Sequence, residues 1–347
     1  MTLTTPRLAT RAHRTTRRRR SLTVNGTLAL ATLALFTLTM MVGSYLISAT
    51  DVLLSTFSIV ENPSVDFVIH ELRLPPAATA LFVGAALGLS GIIFQQLLAN
   101  PLASPDFVGI SSGASLAAVG AIIFGNIGGL GISVAALVGA LVSSGIVYLL
   151  AWRDGISGYR FILIGIGVSQ FTLSIVGYVI ARADLNDARA AMTWLMGSVG
   201  QAGPTQLTAL MATVAIAIPV AMVLERHLRT LALGDDTARG LGARTELARF
   251  ALIALALILV AVATAAAGPL AFVALLAGPI ARRILGPASA GLLVASALVG
   301  ALIVLAANLV SVHLLPSDLP TGIITGAVGA PYLIWLLATV NREGRGG

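Results

Sequence analysis

Residues 73–117 read RLPPAATALFVGAALGLSGIIFQQLLANPLASPDFVGISSGASLA, and no charged side chain interrupts the run between Arg73 and Asp106. About 20 mostly apolar residues, rising about 1.5 Å each as a helix, cross the roughly 30 Å hydrocarbon layer of a bilayer. This stretch therefore predicts a membrane span over residues 75–98. Gly84, Gly88 and Gly91 fall on closely related faces of it, a small-residue stripe that lets helix backbones approach closely in lipid. Asn100-Pro101 and Ser104-Pro105-Asp106 then break the helix, because proline disfavours helical geometry in the residue before it. The break is expected at the inner membrane surface, and Gly109, Ser111, Ser112 and Gly113 give the next span a small, polar start.

Runs of the same kind fill the chain. Spans are predicted at residues 28–47, 75–98, 109–125, 132–152, 160–181, 205–224, 247–267, 270–285, 289–313 and 322–340, which makes an all-α, polytopic membrane bundle of about ten transmembrane helices. The composition agrees: 57% of residues are hydrophobic and 10% charged, against about 25% charged in ordinary soluble domains. Such a chain cannot cover a surface that faces water.

Two residue types are missing altogether. Without cysteine there is no thiol nucleophile, thiolate metal site or disulfide. Without lysine there is no phosphate-binding loop ending in Gly-Lys-Ser/Thr, so any ATP hydrolysis must belong to another subunit. His13, His70, His227 and His313 are too scattered for a metal site, and no Ser-His-Asp or paired-carboxylate constellation is visible. The chain reads as a non-enzyme with no cofactor or metal of its own.

All 21 basic residues are arginine. Seven lie in the first 20 residues, just ahead of the first apolar run. That run is too long for the core of a cleaved signal peptide, which favours a membrane helix held by a basic tail over an export signal or a nucleic-acid-binding tail. With both termini inside, the tail, Arg153, Arg160, Arg226, Arg229, Arg239, Arg244, Arg249, Arg282, Arg283, Arg342 and Arg345 share the cytoplasmic side, and only Arg73, Arg182 and Arg189 lie outside. This asymmetry follows the positive-inside rule. The resulting organisation is a basic tail over residues 1–27, a membrane domain over 28–340 with a cytoplasmic loop at 225–246, and a short tail at 341–347.

Acids are scarce within the spans, whereas ion-coupled carriers hold them there for the relay or ion site. Ser90, Gln95, Gln96, Ser169, Gln170, Thr172 and Asn308 supply mild polarity, either as interhelical hydrogen bonds or as the lining of a path. The loop after the sixth span has its own reading. Gly234 can start a short helix, Asp235 and Asp236 suit its first turn, Gly242 can end it, and Ala238 and Leu241 share a face. On these residues alone it is a solvated connection or a docking element.

The 73–117 stretch resembles the signature of the FecCD-type permeases, the membrane subunits of ABC importers for ferric siderophores, haem and vitamin B12. It matches the RLPR-like entry, the glycine-rich span, NPLA-x-P-D and G-x-S-x-G-A, with Pro76 in place of the second arginine. Trp194 to Ser198 (WLMGS), Leu231 to Gly242 (LALGDDTARGLG) and Asp318 to Trp335 (DLPTGIITGAVGAPYLIW) resemble later family segments in order and spacing. Gly268-Pro269 and the following residues resemble another, with Ala274 in place of a glycine and Gly278-Pro279 in place of Pro-His.

The resemblance implies a type II ABC importer permease in a bacterial cell membrane. It implies as partners a second permease subunit, two ABC ATPase subunits and an external solute-binding protein, with no nucleic acid. The cargo it implies is a ferric siderophore, with haem or cobalamin as the alternative and an ion-coupled carrier as the rival class. Gly234, Asp235, Asp236, Ala238, Arg239, Leu241 and Gly242 would form the element that docks on the ATPase. Arg73, with Arg182 or Arg189, would meet the binding protein, the other reading being lipid-headgroup anchors; the missing arginine at Pro76 favours a heterodimer. Gln170, Thr172, Gly322, Gly326 and Gly329 would line a path at the centre of the dimer.

Overall fold

The computed structural model describes residues 5–43, 45–56, 59, 62–152, 158–231, 234–240, 242, 245–286, 291–313 and 319–343. Among these residues every regular element is helical. The ten expected spans correspond to α1 (Thr5–Met41), α4 (Leu74–Leu97), α5 (Ile110–Ile123), α6 (Leu130–Ala151), α7 (Gly158–Arg182), α9 (Pro204–Leu231), α11 (Thr245–Ala267), α12 (Val273–Leu285), α13 (Leu292–His313) and α14 (Thr321–Glu343). Short helices α2 (Ala49–Thr56), α3 (Pro63–Phe67), α8 (Leu185–Leu195) and α10 (Asp235–Gly240) join them. A π-helical turn, Val68–Arg73, makes α3 and α4 one continuous rod. The side on which α9 and α12 end and α11 begins carries Arg226, Arg229, Arg249, Arg282 and Arg283, and is termed the arginine-rich side.

The apolar stretch of α4 is 83% buried and those of α11 and α13 are 61% buried, against 17% for α1 and α7. The bundle is thus built around α4, and the glycine stripe explains how. A Cβ on Gly84 would collide with the Gly300 carbonyl, one on Gly88 with the Ser296 carbonyl, and one on Gly91 with the Ala274 carbonyl. Hydrogen bonds follow from the close approach: Ser296 Oγ donates to the Gly88 carbonyl at 2.8 Å and Ser90 Oγ to the Ala256 carbonyl at 2.9 Å. Gln95 has a more specific task. Pro279 has no N–H, which leaves the carbonyl of Leu275, one turn earlier in α12, without its usual donor. Gln95 Nε2 donates to that carbonyl at 3.1 Å, and Gly278 leaves the room for it. Ser90 and Gln95 are therefore interhelical bonds rather than path lining.

The structure corrects several boundaries. The basic tail is helical from Thr5 and continuous with the first span, which ends at Met41 rather than near residue 47. Seven helical rods among the described residues are long and apolar enough to cross a membrane, whereas α5 and α12, of 14 and 13 residues, are about 21 Å and 20 Å long. Each is completed by an irregular connection. The one before α5 is not confined to the surface. It turns at Ala99 and Pro101 and re-enters, so that Ser143 Oγ donates to the Gly109 carbonyl at 2.8 Å two turns from the end of α6, about 12 Å inside.

Replacing Gly88 by Leu drives a side chain into the α13 backbone and is expected to cost about 3 kcal/mol or more, overpacking in a site with no slack. Gly120, with nothing within 4 Å of an added Cβ, is the control. Gly120→Ala should match or exceed the parent in Tm, measured by size exclusion after heating in detergent, while Gly88→Leu aggregates at lower temperature.

Candidate functional site

Four irregular segments meet near the open faces of α7 and α14. Residues 104–111 follow the break after α4, and residues 194–198 follow α8. Residues 268–272 link α11 to α12, and Gly322 opens α14. Their backbones are knitted directly together. The Ser198 N–H donates to the Ala267 carbonyl at 2.7 Å and the Gly322 N–H to the Gly197 carbonyl at 3.0 Å. Gly197 and Gly268 adopt left-handed φ of 69° and 71°, and a Cβ on Gly197 would collide with the Pro269 carbonyl. Phe272 takes φ of 67° at the entrance to α12, and its Cβ occupies the space a side chain at Gly329 would need.

Between these segments lie two cavities of about 450 Å³ and 530 Å³ that share Asp106, Ser111, Leu195 and Pro269. The first is closed on one side by Phe272, Gly322 and Ile323, the second by Ile166, Gln170 and Leu173 of α7. Asp106 sits where they join. Ser104 Oγ donates to its Oδ2 and Ser111 Oγ to its Oδ1, each at 3.0 Å. No basic side chain pairs with it among the described residues. Ser169 Oγ, which borders the second cavity, is buried without a partner.

Of the expected path residues, Gln170 and Gly322 border these cavities, Gly329 receives Phe272, and Gly326 faces open space. Thr172 does not join them. Two residues from Gln170, it points to the opposite face of α7 and is buried. Asp106, Ser111 and the 269–272 segment belong to the site although sequence reading treated the first only as part of a helix break. The pairing of Asp106 with serines two residues before and five after it was the available signal.

The arginines expected to meet a partner differ from one another. Arg182 and Arg189 are exposed, Arg182 lying 5.6 Å from the centre of the Tyr178 ring. Arg73 is turned inward: its Nη1 donates to the Met40 carbonyl at 2.7 Å and the Met41 carbonyl at 3.1 Å, and Nη2 donates to the Tyr45 carbonyl. These include the orphan carbonyls at the end of α1. Gly43 leaves space for the guanidinium, since a Cβ there would lie 2.6 Å from Nη2. Arg73 is accordingly a staple between α1 and the α3–α4 rod.

At the arginine-rich side, α10 sits between α9 and α11 and is bounded by Gly234 and Gly242 with φ of 92° and 78°. Ala238 is fully buried and anchors the helix, whereas Gly234, Arg239, Gly240 and Gly242 are exposed. Arg239 Nη2 lies 4.0 Å from Glu246 Oε1, which also meets Arg249 Nη1 at 3.7 Å. Leu241 and the side chains of Asp235 and Asp236 lie outside the described residues.

Comparison with known proteins decides the family. The model of the FecCD transport family matches residues 31–339. The chain belongs to that family. It is 42% identical over 282 residues, 81% of this chain and 85% of the relative, to the ferric enterobactin transport system permease protein FepG of Escherichia coli strain K12. It is 37% identical over 323 residues, 91% and 92% of the two chains, to the achromobactin transport system permease protein CbrC of Dickeya dadantii. A solved metal-chelate type ABC transporter in an inward-facing conformation has 26% identity and a TM-score of 0.82, covering 91% of this chain and 99% of that one. Family membership makes the chain a multi-pass transport subunit rather than a catalytic enzyme.

One outcome tests this geometry. Arg73→Ala should lower Tm by removing three charge-assisted hydrogen bonds, and Arg73→Lys should restore only part, because one ammonium cannot reproduce the guanidinium fork.

Proposed function

We propose that the chain is the permease subunit of an ABC importer that carries ferric siderophores inward across a bacterial cell membrane. It works with a second permease, two separate ATPase subunits and an external binding protein. The observation that carries this reading is the meeting of four family segments, 104–111, 194–198, 268–272 and the start of α14, around two cavities bordered by α14 and α7. The names of the FepG and CbrC relatives support an iron chelate as cargo.

In this reading the arginine-rich side is cytoplasmic, and Gln170, Gly322, Gly326 and Gly329 border a path completed by the second permease. Asp106 joins them. Pro76 in place of an arginine favours a non-identical partner. Binding-protein docking falls mainly to Arg182 and Arg189, with Arg73 holding the surface between them and α1 in shape.

Coupling runs through α10. Its anchor, Ala238, ties it to α9 and α11, and α11 leads directly into the 268–272 segment of the cavity wall. Closure of the ATPases moves α10, and the bundle opens to one side at a time, the energy coming from differential binding of the partners to the two states.

The experiment is charge reversal at the start of α10. Asp235→Arg with Asp236→Arg should reduce chelate uptake to background while membrane insertion and Tm stay unchanged; uptake at the parental rate would refute docking through this helix.

A further inference from the structure

The ends of α1, α12 and α14 on the arginine-rich side form a surface that the transport reading does not use. Arg20 Nη2 donates at 3.3 Å to the carbonyl of Ile284, one of the last four carbonyls of α12, which no intrahelical donor reaches. Asn25 Nδ2 donates at 3.3 Å to the Gly291 carbonyl, tying α1 to the residue that precedes α13. The Arg283 guanidinium lies 4.9 Å from the centre of the Trp335 ring, and Trp335 is 5.5 Å from Tyr332. Three helices thus bring Arg20, Arg283 and an aromatic pair to one place.

The charge there is uncompensated. Arg19, Arg20 and Arg283 are exposed, and none has a carboxylate within 4.0 Å among the described residues. The ion pairs described on this side belong to Arg229, Arg239 and Arg249, whose partners Glu225 and Glu246 stand on α9 and α11. The sequence after α12 reads GPASAG from Gly286 to Gly291 and adds no acid.

The surroundings identify the missing partner. Arg20 is the last charged residue of α1 and bonds the end of α12, which places these guanidiniums at the level of the lipid headgroups. Toward the membrane interior stand exposed apolar side chains of α1 and α14: Leu22 and Ile334 are 65% and 69% exposed. Tyr and Trp are the aromatic residues that settle at this interface. Guanidiniums match phosphate oxygens in pairs, and arginine pockets between helix ends on the positively charged side of a membrane protein suit anionic headgroups.

We propose that Arg19, Arg20 and Arg283, with Trp335, bind the phosphate of an anionic phospholipid whose acyl chains lie along Leu22 and Ile334. The lipid adds to the contacts that hold α1 and α14 to α12, the helix that follows the cavity segment 268–272.

The test is native mass spectrometry of the full chain released from nanodiscs that contain equal amounts of phosphatidylglycerol and phosphatidylcholine. The parent should retain phosphatidylglycerol at least tenfold over phosphatidylcholine, and Arg20→Gln with Arg283→Gln should lose that preference. Arg226→Gln, on the same side but on α9, should keep it. Unchanged size-exclusion profiles will show that the double variant is folded; should it fail to fold, Trp335→Ala in the parent background must weaken the preference in its place. Equal retention of both lipids by the parent, or an undiminished preference in the folded double variant, overturns the proposal. Displacement of the lipid by millimolar inorganic phosphate would assign the arginines to a soluble anion. Its displacement by an added ATPase subunit would assign them to a protein partner, and either result overturns the lipid assignment.

Discussion

The close approach of α4 to α13 and α12 is the constraint on which the rest of the molecule depends. In lipid, apolar surface gives helices little reason to prefer each other over acyl chains, so association rests on packing and on hydrogen bonds between backbones brought near one another. Gly84 and Gly88 admit the α13 backbone, and Gly91 admits the start of α12. Gln95 then supplies the bond that Pro279 cannot make. With α12 pinned in this way about 9 Å from the end of α4, the chain leaving α11 must return from the far side in the extended segment 268–272. That segment is the wall of the cavity. The site is thus a consequence of the seam.

Much of the fold was legible because a membrane imposes length. Ten apolar runs became ten helices, and the glycine stripe of α4 marked the tightest packing. What was hidden is what length does not encode. The half-length α12 looks like an ordinary span, since the connection that completes it, GPLAF at residues 268–272, is as apolar as the helix itself. The re-entrant course of residues 103–109 depends on the hydrogen bond from Ser143 to the Gly109 carbonyl, between residues far apart in sequence. The inward turn of Arg73 likewise depends on where α1 ends, and a longer predicted span concealed it.

The site was half legible for the same reason. Motif segments could be recognised one by one, yet their meeting at Gly197, Pro269 and Gly322 is a matter of backbone contact in three dimensions. Ser90, Gln95, Ser169 and Gln170 were indistinguishable as polar residues within spans. The structure separates them: the first two bond across helix seams, and the last two border a cavity. Asp106 escaped notice because a carboxylate after Ser-Pro reads as a turn residue, and only its burial between two cavities gives it another meaning. α10 shows the converse. Its limits were read correctly from two glycines, while its Ala238 proved to be the anchor rather than part of the outer surface.

As proposed, ATP, and no ion gradient, drives an iron chelate through this subunit. Uptake of a radiolabelled ferric siderophore into vesicles that contain the full assembly, with ATP held constant and the proton gradient collapsed by a protonophore, separates the two energy sources. Uptake should continue under those conditions and cease when a non-hydrolysable analogue replaces ATP. Uptake that stops with the gradient while ATP is maintained would overturn the ATP-driven reading.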